Sequence, residues 1–118
     1  MSAAVRVEPG SIDDRKGRLF LEGTVVSAGR RSGFLVTVGD DYAVLDTDAS
    51  GEGLRFLLKV ISDIAGPPDG PPRPVAVSHV SDMPGEGPVE VGWAFDPGRR
   101  DGVRAVLREA LGGTAGRT

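Results

Sequence analysis

The stretch Gly51–Ala65, with the sequence GEGLRFLLKVISDIA, constrains the fold more than any other part of the chain. Its apolar residues recur at the spacing that lines one face of a helix, and the pattern predicts an α-helix over the whole stretch. Phe56 and Val60 widen the apolar stripe and leave few positions for water. We expect such a helix to need cover on more than one side, and we assign Phe56 and Val60 to an interface as a hypothesis.

Three strands are predicted ahead of this helix. Residues 18–28 are rich in β-branched and aromatic side chains that alternate between two faces. A turn over residues 29–33 leads to a second strand at 34–38, and Gly39, Asp40 and Asp41 turn the chain into a third at 42–46. Residues 1–17 are predicted as either a flexible segment or an edge strand, from the alternation at 4–8. Their charged run, 13–16, is typical of a turn or loop.

Two more strands and a second helix are predicted after the central helix. The segment GPPDGPPRP, residues 66–74, holds five of the nine prolines and is read as a stiff connector. Residues 73–81 and 88–96 are predicted to pair as a hairpin. Asp96 followed by Pro97 begins a second helix that ends at residue 112. Its predicted apolar face comprises Val103, Val106, Leu107, Ala110 and Leu111. Residues 113–118 are expected to be disordered.

These elements predict a single α+β domain over residues 18–112. Its antiparallel sheet has five to six strands, and two helices pack on one face of that sheet. Along the chain the elements follow the order meander, helix, hairpin, helix. The order is loosely similar to that of secretion chaperones. We expect Phe20 and Val26 to lie on the second face of the sheet, which the helices would leave uncovered. We therefore assign Phe20 to an interface with another chain, with closure by loops and termini as the alternative.

The composition excludes several classes of function. The 118 residues suffice for one domain, and the net charge of −3 gives no overall attraction to nucleic acid or to an anionic membrane. Cysteine is absent, which excludes disulfides and thiolate metal sites. There is no apolar run of the roughly 18 residues that a membrane span requires, and no secretory leader pattern. We expect a cytoplasmic protein.

Residues with catalytic or metal-binding potential are few. His79 is the only histidine, and on a strand it alternates with Ser78 rather than facing it. We interpret it as structural or exposed; the alternative is a small enzyme that uses His79 with Asp82 or Glu90 as acid or base. Asp46 and Asp48 are typical of a turn and helix cap, with a divalent cation as the alternative. We assign no catalytic residue, no metal and no cofactor.

Three arginines repeat at helical spacing on the second predicted helix. Arg100, Arg104 and Arg108 lie at i, i+4 and i+8, opposite its apolar face. Guanidinium groups bind carboxylates and phosphates with two parallel hydrogen bonds. We add these arginines to the candidate interface, with a solvated helix face as the alternative.

The residues Asp48, Ser50 and Gly53 fit the pattern D-x-S-x-x-G, which resembles half of the signature of PilZ domains. The segment VEVGWAFD, residues 89–96, followed by a helix, is similar to the end of that family's barrel. The resemblance implies binding of cyclic di-GMP. The R-x-x-x-R half of the signature is missing, and the adjacent Arg30 and Arg31 are the candidates for its role.

The leading hypothesis is a non-enzymatic module that binds another protein or a second copy of itself, as an adaptor, chaperone, immunity protein or regulatory subunit. It rests on the lack of a catalytic constellation and on apolar surface left uncovered. The alternative is a sensor of a small anionic nucleotide that uses Arg30, Arg31, Asp48, Ser50 and Gly53.

Overall fold

The computed structural model describes residues 5–75 and 88–112. In these ranges one antiparallel sheet is formed by β1 (Val5–Arg15), β2 (Arg18–Ser27), β3 (Arg30–Val38), β4 (Tyr42–Thr47), β5 (Arg73–Pro74) and β6 (Val89–Ala94). The strands lie in the order β1-β2-β3-β4-β6-β5. Helix α1 (Gly51–Ala65) connects β4 to β5, and α2 (Arg100–Leu107) follows β6. The α+β prediction is confirmed.

Two tight turns build the first half of the sheet. Lys16 and Gly17 between β1 and β2, and Ala28 and Gly29 between β2 and β3, all have positive φ. Positive φ at both central residues is the requirement of a type I′ turn, whose twist matches that of paired strands. The predicted loop at residues 13–16 is therefore wrong over 13–15, which belong to β1, and the predicted turn at 29–33 is too long.

The core lies between the sheet and the two helices. Alternate residues of the strands point to this side and are buried under α1 and α2, among them Leu21, Phe34, Leu45 and Trp93. The helices contribute the buried residues Leu57, Ile61, Val103, Leu107 and Leu111. Both helices therefore cover the same face, which confirms that part of the prediction.

The helix boundaries follow from local chemistry. α1 has the predicted bounds and ends where Gly66 takes φ 105° and donates its N–H to the Ser62 carbonyl at 2.8 Å. Ahead of α2, the Asp96 carboxylate accepts from the Gly98 N–H at 3.5 Å and caps a 3₁₀ turn, Pro97–Arg99. A π-helical turn, Arg108–Gly112, extends α2.

The apolar face of α2 is narrower than predicted. Val103, Leu107 and Leu111 are buried, whereas Val106 is 46% exposed and Ala110 is also exposed. The buried residues recur every fourth position, so that Val106 lies on the flank of the stripe. The prediction that Val106 and Ala110 belong to the buried face is wrong.

The proline connector leads to a short edge strand. The Asp69 N–H donates to the Gly92 carbonyl at 2.8 Å, and the Val75 N–H donates to the Pro88 carbonyl at 3.0 Å. β5 and β6 thus pair as the hairpin prediction expected, over two residues of β5. The rest of the predicted strand at 73–81, with His79, lies largely outside the described residues, as does the predicted tail 113–118.

Candidate functional site

The sheet has a second face, opposite to α1 and α2, on which no helix of the described residues packs. We call it the open face. Alternation along the strands and their register place on it Arg6, Glu8, Asp13, Arg15, Arg18, Phe20, Glu22, Thr24, Val26, Arg31, Gly33, Leu35, Thr37, Tyr42, Val44, Asp46, Glu90 and Gly92. One-sided antiparallel sheets normally carry polar residues on their water-facing side. This face departs from that rule at five positions: Phe20, Val26, Leu35, Tyr42 and Val44.

The centre of the open face is an apolar patch. Phe20 is in register with Thr37, and Thr37 is in register with Val44. Leu35 follows two residues along β3, and the side chains of Phe20, Leu35 and Val44 are each partly buried. The Arg15 guanidinium carbon lies 5.3 Å from the centroid of the Phe20 ring, within the range of a cation–π contact. The exposed parts of the Phe20, Leu35 and Val44 side chains are available to a partner.

Carboxylates line one side of this apolar patch. Glu22 pairs in register with Leu35, Leu35 with Asp46, and Asp46 with Glu90. We call Glu22, Asp46 and Glu90 the acidic row. Burial raises the pKa of Asp46, and the neighbouring Glu90 carboxylate raises it further. Arg73 approaches Glu90 at 3.5 Å. Three carboxylates thus share one nearby arginine among the described residues.

Positive charge is concentrated at another corner of the open face. Arg15 and Arg18 are register partners at the β1–β2 turn, and we call them the basic corner. Arg15 also pairs with Asp13 at 3.1 Å, and both arginine side chains are exposed. A third charged group lies at the far ends of these strands, where Arg31 and Arg6 bind Glu8. The hydrogen bond from Arg31, followed by that from Arg6, lowers the pKa of Glu8.

The candidate interface residues on the helices are placed differently. Phe56 and Val60 are partly buried and pack against the core. Arg100 pairs with Asp40 at 3.0 Å and with Asp101 at 3.1 Å. Phe56 and Val60 therefore already have packing partners within the domain, and the Arg100 guanidinium already has two ion-pair partners.

Arg104 has a structural role in the chain. Its guanidinium donates to the Asp14 carboxylate at 2.9 and 3.0 Å and to the Gly17 carbonyl at 3.1 Å, and its side chain is only 18% exposed. It ties α2 to the β1–β2 turn. Of the predicted arginine stripe, Arg108 is exposed, and no ion pair joins it to another described residue.

The candidate nucleotide site is divided by the sheet. Arg30 and Arg31 are consecutive on β3 and point to opposite faces. Arg30, Ser50 and Gly53 line a cavity of about 400 Å³ at the start of α1. Asp48 lies elsewhere, in a shallow depression with Glu22 and Asp46. The described strands also form an open sheet, in which β1 does not pair with β5. They therefore do not form the barrel that the PilZ resemblance implies.

The remaining candidates contribute no assembled site. His79 and Asp82 lie outside the described residues, so that the predicted acid–base pair has no geometry to report. In the described part of the chain, no group of three or more His, Cys, Asp or Glu residues is arranged to hold a metal ion. Glu22, Asp46 and Asp48 border the same depression without forming such a group.

Sequence reasoning named Phe20 on the open face but missed its neighbours. Leu35, Val44 and the pairing of Asp46 with Glu90 were not singled out. The alternation in FLVTV and YAVLDT does place Leu35, Val44 and Asp46 on the side opposite to the core residues. The pairing of β4 with β6, which brings Glu90 beside Asp46, crosses 43 intervening residues and carries no local signal.

No family model, no curated protein and no solved structure matches this chain. Of the helices in residues 5–75 and 88–112, none has the length and apolar character needed to cross a lipid bilayer.

Proposed function

We propose that this chain is a cytoplasmic, non-enzymatic protein-binding module, and that it binds through the open face of its sheet. The observation that carries the proposal is the apolar patch around Phe20 on a face that no described helix covers. A partner that covers this patch removes apolar surface from water, which is the main favourable term in protein association.

The open face supports the proposal better than the helix surface does. Phe56 and Val60 pack against the core of the domain itself. A charged substitution there would destabilise the fold as well as any interface. Phe20, Leu35 and Val44 lie on the far side of the sheet from that core, so substitutions at these positions test binding with less damage to folding.

The test is site-specific photo-cross-linking in cells of the native host. A photoreactive phenylalanine analogue replaces Phe20 in one variant and Lys59, on the exposed side of α1, in a matched control. We expect position 20 to form cross-links with a second polypeptide, and position 59 to form none. The same cross-links should disappear in a Val44→Asp background.

Circular dichroism and the emission of the single tryptophan, Trp93, establish that Val44→Asp is folded. If it unfolds, Leu35→Asp replaces it, since Leu35 occupies another strand of the same patch. Equal cross-linking from positions 20 and 59, or none from position 20, would refute the proposal. A cross-link within the same chain would also refute it.

A second candidate function is a sensor of a small anionic nucleotide. It is favoured by one observation, the cavity that brings Arg30, Ser50 and Gly53 together. Calorimetric titration with cyclic di-GMP tests it. Arg30→Ala should abolish the heat of binding, whereas Arg31→Ala, on the opposite face, should leave it unchanged. Absence of heat from the unmodified protein at tens of micromolar excludes this candidate.

A further inference from the structure

We propose that the occupant of the open face is a second copy of this chain, bound face to face about a two-fold axis. This inference rests on the proposed function and specifies its partner. A two-fold interface uses the same patch on both copies, so the patch must be complementary to itself. The open face meets this requirement in both its charge and its apolar centre.

Charges of opposite sign are separated on the open face. The basic corner lies at the β1–β2 turn, where Asp13 also pairs with Arg15, whereas the acidic row crosses β2, β4 and β6, with Glu22 four residues from Arg18 along β2. Neighbouring strands lie about 4.8 Å apart, so β1 and β4 are separated by roughly 14 Å across the sheet. Phe20 and Val44 lie between the two charged regions.

Two copies can face each other about a two-fold axis that lies in the plane between their sheets. Such an axis can place the basic corner of each copy opposite the acidic row of the other. With the axis running between the basic corner and the acidic row, the arginines of each copy lie over the carboxylates of the other. The apolar patch then packs on its own copy. Each dimer would contain the Arg18–Glu90 contact twice, once from each direction.

The charge distribution favours a second copy over a partner of single sign. A uniformly basic partner would be repelled by Arg15 and Arg18, and a uniformly acidic one by Asp46 and Glu90. Within the described residues, no carboxylate lies within ion-pair distance of Arg18. The acidic row likewise has one arginine, Arg73, for three carboxylates. A second copy supplies a carboxylate to Arg18 and an arginine to the acidic row.

The edges of the sheet fit this role less well. β5 is two residues long and lies next to Pro71 and Pro72. β1 has an irregular register between Pro9 and Ile12. Prolines, short edge strands and bulges all oppose the addition of another strand. Association through the open face avoids both obstacles.

Charge reversal with complementation tests the proposal. Sedimentation equilibrium should give the unmodified protein a mass of twice 12.3 kDa at about 100 μM. Arg18→Glu and Glu90→Arg should each weaken the dimer at least tenfold, because each places like charges together twice. An equimolar mixture of the two variants should restore the dimer, since each reversed charge then meets an opposite one. Lys59→Glu, on the far side of the molecule, should leave the dimer unchanged.

Each other outcome overturns the inference. A dimer that survives both reversals uses a different surface. If the equimolar mixture of the two variants stays monomeric, Arg18 and Glu90 do not meet across the interface. If the unmodified protein is monomeric while position 20 cross-links to a different protein, the proposed function stands and the second copy is excluded. If it is monomeric and position 20 cross-links to nothing, both proposals fail.

Discussion

The indole nitrogen of Trp93 donates a hydrogen bond to the Ser62 hydroxyl oxygen over 3.1 Å, and this bond joins the sheet to the helix above it. Trp93 lies on β6 and is only 1% exposed, whereas Ser62 lies on the last turns of α1. A buried indole N–H needs an acceptor because water cannot reach it. Ser62, which the sequence places on the polar edge of the helix, supplies that acceptor.

Ser62→Ala should lower the free energy of unfolding by about 1–3 kcal/mol, the cost of a buried donor left without a partner. Urea denaturation followed by tryptophan emission measures the change. Ser11→Ala is the matched control, because the Ser11 hydroxyl bonds to Glu22 at the surface, where water can replace it. If both substitutions have the same small effect, the indole N–H is not dependent on Ser62.

Gly23→Ala should destabilise the sheet by about 1–3 kcal/mol, the usual cost of overpacking. A methyl group on Gly23 would lie 2.8 Å from the Cζ atom of Phe34 and 2.9 Å from the Glu8 carbonyl oxygen, both closer than van der Waals contact. Gly33→Ala, on the adjacent strand, is the control, since its nearest neighbour is 3.9 Å away. Thermal unfolding should place the midpoint of Gly23→Ala below that of Gly33→Ala; the reverse order would contradict the packing described for Phe34.

The sequence predicted the elements whose signals are local. α1 was predicted with its observed bounds because periodicity, a preceding Ser50 and a following Gly66 agree. The strand at residues 13–15 was missed because a charged run is typical of loops, and here it is tolerated on an edge strand whose outward side faces water. Val106 was assigned to the buried face because helical spacing does not show how wide that face is; only every fourth residue, Val103, Leu107 and Leu111, is buried.

The candidate site was less predictable than the fold. Phe20 could be placed on the second face from alternation alone, but its neighbours depend on strand order. Arg30 and Arg31 were grouped because they were assigned to a turn; the two-residue turn at Ala28 and Gly29 instead places them on a strand and separates them. Arg104 was grouped with exposed arginines because sequence spacing carries no information about Asp14, 90 residues away.

Arg104→Ala should lower the free energy of unfolding by about 1–3 kcal/mol, since it removes charge-assisted bonds to Asp14 and to the Gly17 carbonyl. Arg108→Ala, one turn further along and exposed, should change it by less than about 0.5 kcal/mol. Amide hydrogen exchange in β1 should also be faster in Arg104→Ala than in the unmodified protein, whereas Arg108→Ala should leave it unchanged. Equal effects of the two substitutions would show that Arg104 does not hold the β1–β2 turn.

Asp46→Asn should increase stability at neutral pH, and the gain should vanish in acid. Burial and the Glu90 carboxylate raise the pKa of Asp46 above its ordinary value of 3.8, so the folded state binds a proton more tightly than the unfolded state does. The penalty for the charged form is complete above the raised pKa and is lost below the ordinary one. Asparagine never carries the charge and never incurs the penalty.

Urea denaturation of the unmodified protein and of Asp46→Asn, carried out from neutral pH into acid, measures the difference in their free energies of unfolding. The stabilities should converge as the pH falls toward 3.8 and separate as it rises. Asp48→Asn, which removes a carboxylate at an exposed position two residues along, is the matched control. Asp46→Asn that destabilises the protein at neutral pH would mean that the carboxylate gains more from its other neighbours than burial and Glu90 cost it. If the open face binds a second copy, the same substitution should weaken the dimer even as it stabilises the monomer.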